Sequence, residues 1–193
     1  MGGAGIDTIS YSGTTGAVTF SLASTASQNT RGAGSDHVQA GHGVENLEGG
    51  SGADRLTGDA GANRLSGAAG NDTLAGGAGA DTLVGGAGRD VLVFNAALGP
   101  TNIDLIEGFV VGEDLIHLEN NAIFAALRTT GALTAGAFNT GTAATQADDR
   151  ILFDQGTGDL RYDADGTGAA AAIHFATLTG LTGSLGAAQF VVI

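Results

Sequence analysis

The sequence of 193 residues contains no cysteine, no lysine, no tryptophan and a single proline. Without cysteine, neither a disulfide framework nor a thiolate metal site is possible. No apolar run approaches the length of a membrane span, so stable membrane insertion is not expected. The four histidines lack the spacing of a zinc site, and neither H-E-x-x-H nor G-x-S-x-G occurs. We therefore expect that this chain has no catalytic residues and is not itself an enzyme.

Charge is almost entirely of one sign, with 20 acidic residues against seven arginines and a formal net charge of −13. Such a chain repels nucleic acid and anionic membranes, and it attracts cations. Hydrophobic residues make up 42% of the chain, which is enough for a core, and 35 glycines favour turns over long helices. The composition therefore excludes a nucleic-acid partner and favours a folded, turn-rich protein that binds cations.

A nine-residue repeat runs without a gap from Arg31 to Val93. Its seven units are "RGAGSDHVQ", "AGHGVENLE", "GGSGADRLT", "GDAGANRLS", "GAAGNDTLA", "GGAGADTLV" and "GGAGRDVLV". The fourth place is always glycine and the eighth is always apolar. The sixth place carries Asp36, Glu45, Asp54, Asn63, Asp72, Asp81 and Asp90. A period this strict predicts a solenoid. An eighth unit, "GGAGIDTIS", occupies residues 2–10, about 20 residues before the others.

Each unit predicts a tight turn followed by a very short strand whose eighth-place side chain faces inward. Such strands gain a core only by stacking, and stacking places the sixth-place carboxylates in a ladder with a spacing of about 5 Å. Two like charges at about 5 Å repel by roughly 3 kcal/mol at an effective dielectric of 20. In a single unit the sixth-place acid would be an ordinary turn residue. Seven such units in one frame favour the binding of a cation by hard oxygen ligands, for which Ca²⁺ is the best match.

The repeated phrase resembles the G-G-x-G-x-D-x-(Leu/Val)-x nonapeptide of RTX proteins, which bacteria export by type I secretion. The run 44–94 also resembles the C-terminal domain of serralysin-type metalloproteases. The resemblance implies an all-β protein: a parallel β-roll (a calcium-stabilised solenoid) followed by a β-rich C-terminal cap with one or two short helices. It implies a partial repeat, an edge strand and a loop in 1–30, the RTX roll in 31–95, and the cap with a secretion signal in 96–193.

In the family, calcium lies between one loop and the loop one coil later. The earlier loop supplies places two, four and six, and the later loop supplies places one, three and six. On one side of the roll the implied sites pair Gly32, Gly34 and Asp36 with Gly49, Ser51 and Asp54; Gly50, Gly52 and Asp54 with Gly67, Ala69 and Asp72; and Ala68, Gly70 and Asp72 with Gly85, Ala87 and Asp90. We expect a negative φ at Ala68, which replaces the usual glycine.

The other side of the roll has a less acidic ladder. The implied site there pairs Asp59, Gly61 and Asn63 with Gly76, Ala78 and Asp81. A further calcium site could be formed by Gly77, Gly79 and Asp81 together with an acid beyond the repeats, such as Asp104. A site between Glu45 and Asn63 is expected to be empty or weak, because Asn63 brings no charge and the longer Glu45 changes the reach. About four to six Ca²⁺ ions are expected in all.

The flanks predict further β structure. "AVTFSLA" alternates Val18, Phe20 and Leu22, which predicts a half-buried edge strand. "NIDLIEGFVVGEDLIHL" resembles the family's D-x-I-x-x-F-x-x-G-x-D-x-I segment and is expected to seal the roll. A short helix is expected in 120–130, a hairpin around "DQGTGD", and a strand in "AAIHFATLTG". "DADG" (163–166) predicts a turn. It does not fit an EF-hand, because that frame places Arg161 and Ala172 at ligand positions.

The resemblance implies a calcium-binding module that folds on Ca²⁺ outside the cell and carries an uncleaved C-terminal type I secretion signal. The signal would include "FVVI", with Gln189 where an acid is common. The implied protein is secreted and monomeric, and its partner is a type I exporter. The start of the repeat directly after Met1 suggests an excised C-terminal fragment, and a short natural protein is the alternative. Two alternatives stay open: the tail or substrate-binding module of a secreted enzyme (protease, lipase or polysaccharide-modifying enzyme), or a surface-layer or adhesin module.

Overall fold

The computed structural model describes residues 5–30, 35–36, 43–120 and 122–193. Its strands, in chain order, are β1 (Thr8–Ser10), β2 (Thr19–Ser21), β3 (Gln28–Asn29), β4 (Ser35–Asp36), β5 (Asn46–Glu48), β6 (Arg55–Thr57), β7 (Arg64–Ala69), β8 (Thr73–Ala75), β9 (Thr82–Ala87), β10 (Val91–Phe94), β11 (Asp104–Glu107), β12 (Leu115–Leu118), β13 (Gly131–Ala132), β14 (Phe138–Thr140), β15 (Ile151–Phe153), β16 (Asp159–Tyr162), β17 (Ile173–Thr179) and β18 (Phe190–Val192). Helical structure in these residues is limited to the 3-10 segments Ala125–Leu127, Ala135–Ala137 and Ala187–Gln189.

Two facing sheets form a parallel β-roll, as the repeat predicts. The first sheet has the order β1-β5-β7-β9-β11-β17-β16-β15-β14, and the second has the order β13-β18-β12-β10-β8-β6-β2. From β5 to β12 the chain alternates between the sheets, so each coil gives one strand to each. Neighbouring repeat strands are parallel and offset by 18 residues, for example Leu47 opposite Leu65 and Leu56 opposite Leu74. The predicted fold class is therefore confirmed.

The eighth-place side chains form the core between the sheets. Leu47, Leu56, Leu65, Leu74 and Leu83 are fully buried. Burying one leucine contributes roughly 1.5–3 kcal/mol, but a three-residue strand can bury its leucine only against neighbouring coils. Stacking is thus what folds the repeats, and it fixes the register of the loops between them.

The first coil is built by residues outside the uninterrupted repeat. β1 pairs with β5, and β2 pairs with β6, which places Phe20 opposite Leu56. Val18, Phe20 and Leu22 are buried, which confirms the edge strand predicted for "AVTFSLA". Because β2 occupies the position beside β6, the first repeat unit cannot stack there.

The C-terminal third continues and then closes the roll. β11 and β12 add a further coil, since they pair in parallel with β9 and β10. The segment expected to seal the roll is therefore another coil, and closure lies further on. Phe124 packs edge-on against Phe175 and Tyr162, and Phe175 packs against Phe94. These aromatic residues belong to the same hydrophobic core as the leucine rows of the roll.

Most strands predicted for this region are confirmed. The hairpin β15–β16 sets Ile151 opposite Tyr162 and Phe153 opposite Leu160. β17 matches the strand predicted in "AAIHFATLTG". The predicted turn at 163–166 forms where the Asp163 carboxylate accepts bonds from the Asp165 and Gly166 amides. The expected helix in 120–130 is reduced to one 3-10 turn, Ala125–Leu127.

Candidate calcium sites

One edge of the roll carries a continuous ladder of buried carboxylates, here called ladder one. Its members are Asp54, Asp72, Asp90 and Asp114, and each is at most 4% exposed. The amide of each aspartate donates to Oδ1 of the next: Asp54 to Asp72 (2.7 Å), Asp72 to Asp90 (2.9 Å) and Asp90 to Asp114 (3.0 Å). At the lower end the Val18 amide donates to Asp54 Oδ1 (2.7 Å). Coil stacking thus holds the carboxylates in one row.

The opposite edge carries ladder two, which consists of Asp7, Glu45, Asn63, Asp81 and Asp104. The Asn63 amide donates to Asp81 Oδ1 (2.8 Å), and the Asp81 amide donates to Asp104 Oδ1 (3.0 Å). At the lower end the Asp7 amide donates to Glu45 Oε2 (2.8 Å). The sequence-based pairing of Asp81 with Asp104 is therefore a contact in the structure, although Asp104 lies beyond the repeat frame.

Three carboxylates in these ladders have one buried oxygen without a hydrogen bond in the described part of the chain. These oxygens are Oδ2 of Asp72, Asp81 and Asp90. A buried acceptor left without a partner costs about 1–3 kcal/mol, and more when it is charged. The other two members of ladder one differ, because the Gly50 amide donates to Asp54 Oδ2 (2.7 Å) and the Val110 amide donates to Asp114 Oδ2 (2.8 Å). The chain thus presents three buried anionic oxygens in need of a partner.

The backbone of the same three loops explains these unpartnered oxygens. In loops 67–72, 76–81 and 85–90 the second- and fourth-place residues all have positive φ. In these three loops the second-place amide makes no hydrogen bond to Oδ2 of the sixth-place carboxylate. In loops 49–54 and 58–63 that amide instead donates to the sixth-place side chain, as Asp59 does to Asn63 Oδ1 (2.8 Å).

Ala68 is the one second-place residue among the three loops that is not glycine, and its φ is +73°. The expected negative φ is therefore wrong. Loops 67–72, 76–81 and 85–90 share one type of turn, and Ala68 therefore takes a left-handed conformation that costs roughly 1–2 kcal/mol.

Backbone carbonyls converge on the space between consecutive loops of ladder one. A Cβ added to Gly86 would meet the Ala68 carbonyl oxygen, and one added to Gly88 would meet that of Gly70. From the opposite direction, the Gly85 carbonyl oxygen lies 2.6 Å from a Cβ position on Gly67, where Asp72 Oδ2 also lies. Carbonyls of the earlier loop thus face the later loop, and the first-place carbonyl of the later loop faces back. Three of the carbonyls that the resemblance implies as ligands, those of Ala68, Gly70 and Gly85, thus lie between the two loops.

Burial controls the electrostatics of these carboxyls. It raises the pKa of Asp72 to about 7, and the charges of Asp90 and Asp54 add to the effect although the Asp54 amide opposes it. Burial likewise raises the pKa of Asp81 to about 6 and of Asp104 to about 7, and it raises the pKa of Asp90. Without a cation, these groups therefore favour their protonated form far more than an exposed aspartate does.

The lowest implied site on ladder one does not form. Asp36 lies in β4, which pairs antiparallel with β3, and its Oδ2 accepts bonds from the Tyr11 hydroxyl (3.1 Å) and the Thr30 hydroxyl (3.2 Å). The position below Asp54 belongs to Val18, which has no side-chain oxygen. The predicted pairing of Asp36 with Asp54 is thus wrong, because β2 takes that place in the sheet. Gly32 and Gly34, the other predicted ligands there, lie outside the described residues, as do His37 and His42.

The remaining predicted site residues lie in stacked loops. On ladder one, loop 49–54 contains Gly49, Gly50, Ser51 and Gly52, loop 67–72 contains Gly67, Ala68, Ala69 and Gly70, and loop 85–90 contains Gly85 and Ala87. On ladder two, loop 58–63 contains Asp59 and Gly61, and loop 76–81 contains Gly76, Gly77, Ala78 and Gly79. The structure brings these loops together in the predicted pairs. Which of their oxygens bind calcium stays a prediction.

Sequence reasoning missed two ladder members, Asp7 and Asp114. A signal for Asp114 was present: "DLI" at 114–116 repeats the sixth-to-eighth-place spacing of the units. Asp7 occupies the sixth place of the separated unit at 2–10. The insertion after that unit hid the fact that β1 stacks directly on β5.

The donor set fits calcium. Among the described residues no three acidic or histidine side chains are placed to hold one metal ion together, so a cation here would draw most of its ligands from carbonyls. Carboxylate and carbonyl oxygens in a flexible arrangement are the ligands that Ca²⁺ takes, in sets of six to eight. The pairs of loops supply both kinds, together with the three unpartnered carboxylate oxygens.

Fold and site together define a parallel β-roll whose stacked loops carry oxygen ligands suited to calcium. The family of the RTX calcium-binding nonapeptide repeat (4 copies) matches residues 32–56 and 57–92. This chain therefore contains an RTX calcium-binding domain. No match was found among curated proteins. None of the helices in the described residues is long and apolar enough to cross a membrane.

Proposed function

We propose that the chain is a calcium-folded module of an exported protein, and that its C-terminal residues are an uncleaved signal for a type I exporter. The observation that carries the proposal is the set of unpartnered oxygens of Asp72, Asp81 and Asp90, buried in a chain of net charge −13. When the ions are absent, repulsion and desolvation oppose closure of the coils. When Ca²⁺ is present, it binds the folded chain alone and stabilises it by linkage.

The two ladders supply five candidate positions for ions. Three lie on ladder one, between the loops ending at Asp54 and Asp72, at Asp72 and Asp90, and at Asp90 and Asp114. Two lie on ladder two, between Asn63 and Asp81 and between Asp81 and Asp104. Five ions would change the formal charge from −13 to about −3, which removes most of the self-repulsion. The Glu45–Asn63 pair is left out, because Asn63 is uncharged and its Oδ1 already accepts a bond from Asp59.

Export follows from the same switch. RTX repeats are typical of secreted proteins, and extracellular calcium modules bind in the range of about 0.1–1 mM. A cytosol poor in calcium would leave the chain open and able to pass through an exporter, and calcium outside would fold it. A secreted parent enzyme is compatible with this role, since the module would act as its C-terminal tail.

The test is far-UV circular dichroism during a calcium titration, with magnesium as control. The proposal predicts a coil-to-β transition with calcium alone, complete at about millimolar levels. Full β structure in excess chelator would contradict it, because the roll would then need no ion to fold.

A further inference from the structure

A cleft of about 330 Å³ in the C-terminal third contains no residue of either ladder. It is lined by residues of the loop 163–172, which joins β16 to β17, and by Thr142, Ala143 and Ala144, which follow β14. Among the described residues that line it, Asp163 is the only one that carries a charge. The cleft therefore has one anionic group in a wall made of small and hydroxyl-bearing residues.

The Asp163 carboxylate is buried and only half used by the protein. The residue is 4% exposed. Its Oδ1 accepts bonds from the amides of Asp165 (3.1 Å) and Gly166 (2.8 Å). Within the part of the chain that the structure describes, no group donates to its Oδ2 and no arginine or histidine forms an ion pair with it. Burial of a carboxylate without a counter-ion is unfavourable, so Oδ2 needs a cationic partner.

The loop sequence places further oxygen ligands beside this carboxylate. An EF-hand frame that begins at Arg161 does not fit, but a frame that begins at Asp163 reads "DADGTG". This frame puts Asp163, Asp165 and Thr167 at the first, third and fifth ligand places and a glycine, Gly168, at the sixth. The twelfth place falls on His174, so the bidentate acid is missing. The loop thus matches the first half of a calcium loop, and it joins two strands instead of two helices.

Contacts within the loop hold this half in shape. The Asp165 Oδ2 accepts a bond from the Ala170 amide (3.0 Å) across the loop, and a Cβ added to Gly168 would overlap the same oxygen. Gly166 has a φ of +65°, and a Cβ added there would lie 2.6 Å from the Ala147 carbonyl oxygen. The loop is therefore closed by Asp165 and packed against its neighbour at a position that only glycine fits.

We infer that this cleft is a calcium site outside the roll, with Asp163, Asp165 and Thr167 as its side-chain ligands and with water and main-chain carbonyls in the remaining positions. Ligands that are all oxygen favour Ca²⁺ over transition metals. Because the site has two carboxylates and lacks the bidentate acid, its Kd should lie at about 0.1–1 mM, the range of extracellular modules. The inference goes beyond the proposed function, since an ion here would tie the loop 163–172 to residues 142–144 without touching either ladder.

The test is an NMR titration of the ¹⁵N-labelled chain with calcium, in which the amide shifts of Gly166, Thr167 and Gly168 report on the loop. In Asp163→Asn the asparagine keeps an oxygen for the two bonded amides but replaces Oδ2 by a donor. The calcium midpoint of the loop amides should therefore rise at least about tenfold. The Asp90 amide reports on the roll in the same spectra, and its midpoint should change less than about twofold, because Asp163 lies in neither ladder.

Asp154→Asn is the matched control. The Asp154 Oδ1 also accepts a backbone bond in a turn, from the Gly156 amide (2.8 Å), but Asp154 does not line the cleft. Its substitution should leave the midpoints of the loop amides within about twofold of the unmodified chain. Equal midpoints of the loop amides in the two variants would overturn the inference, because the Asp163 carboxylate would then hold no ion.

The unmodified chain gives a second measurement that no folding defect of a variant can affect. In crystals grown at calcium about 10 times the expected Kd, anomalous density should lie within about 2.3–2.6 Å of Asp163 Oδ2. Density between the coils of the roll but none beside Asp163 would overturn the inference and leave the calcium-folded module standing. If the roll is fully folded in excess chelator, the proposed function fails, while the loop amides and the density beside Asp163 still decide this site.

Discussion

The Asp72 amide donates to Oδ1 of Asp90 over 2.9 Å, while Oδ2 of the same Asp90 carboxylate is buried without a hydrogen bond in the described part of the chain. One oxygen therefore fixes the stacking of two coils and the other is left for a cation. Asp81 and Asp72 repeat this division, each with its Oδ1 bonded to the preceding coil. The same residue type thus serves the fold and the site.

Asp90→Asn should weaken calcium binding. Asparagine keeps an oxygen for the Asp72 amide but removes the charge that holds the cation, so the calcium midpoint should rise roughly 10- to 100-fold. Isothermal titration calorimetry measures the change. Asp36→Asn is the matched control, because Asp36 is also a sixth-place aspartate but lies outside the ladder. An equal loss in both variants would show that Asp36 belongs to a site after all.

Ala68→Gly should stabilise the roll. Glycine removes the cost of a φ of +73°, for a net gain of up to about 1 kcal/mol after its greater entropy in the unfolded chain. Urea unfolding at fixed calcium gives the free energy. Ala69→Gly, one residue further along β7 and without positive φ, should instead destabilise by about 0.5–1 kcal/mol. Destabilisation by both changes would mean that Ala68 is not strained.

Gly88→Ala should disrupt loop 85–90. Its φ of +131° is one that L-residues rarely adopt, and the added Cβ would overlap the Gly70 carbonyl oxygen. We expect a loss of about 2 kcal/mol or more and a higher calcium midpoint. Gly99→Ala, where a Cβ would meet no atom within 4 Å, is the control. The same thermal unfolding curve for both variants would be inconsistent with close stacking of the loops.

The calcium-free fold should be more stable at pH 5 than at pH 8. The pKa values of Asp72 and Asp104 are raised to about 7 and that of Asp81 to about 6, from an ordinary value of 3.8. Groups with a raised pKa contribute stability that is complete below the unfolded value and is lost as the pH rises through the folded value. Far-UV circular dichroism in chelated buffer should therefore show β structure that is lost as the pH rises between about 4 and 7, which leaves the calcium-free chain open near neutral pH.

Calcium should reverse this trend, because the ion binds the ionised carboxylates and competes with protons. Stability at saturating calcium should rise over the same pH range. A metal-free fold that instead gains stability toward pH 8 would show that these carboxyls are not buried as described.

The roll itself could be predicted because its determinants are periodic. A leucine every nine residues and a glycine turn between them leave stacking as the one way to bury the apolar row, so Leu47 meets Leu65 as expected. The hairpin that pairs Ile151 with Tyr162 could also be predicted, because its determinants are local: alternating apolar residues on both sides of a turn fix its register.

The place of Asp36 could not be predicted from the repeat. The unit containing it matches the repeat better than "GTTGAVTFS" (13–21), which has Val18 in the sixth place. The structure nevertheless stacks the latter on β6, where Phe20 becomes 1% exposed. The unit stacked on β6 is thus the one that buries a large ring, and it is not the one that matches the turn pattern better.

The three unpartnered oxygens could not be predicted either. They depend on the sign of φ at second-place residues such as Gly77 and Gly86, and glycine adopts either sign. In the same way, Gly50 uses its amide to bond Asp54, so identical residues produce two kinds of loop.

We propose that calcium binds between the loops at the unpartnered oxygens of Asp72, Asp81 and Asp90. The first measurement to make is a crystal structure of the calcium-bound protein, with anomalous diffraction data collected at a long wavelength. We expect ions within about 2.3–2.6 Å of these three oxygens and none between Asp36 and Asp54. Calcium peaks absent from all three oxygens in crystals grown at saturating calcium would contradict it.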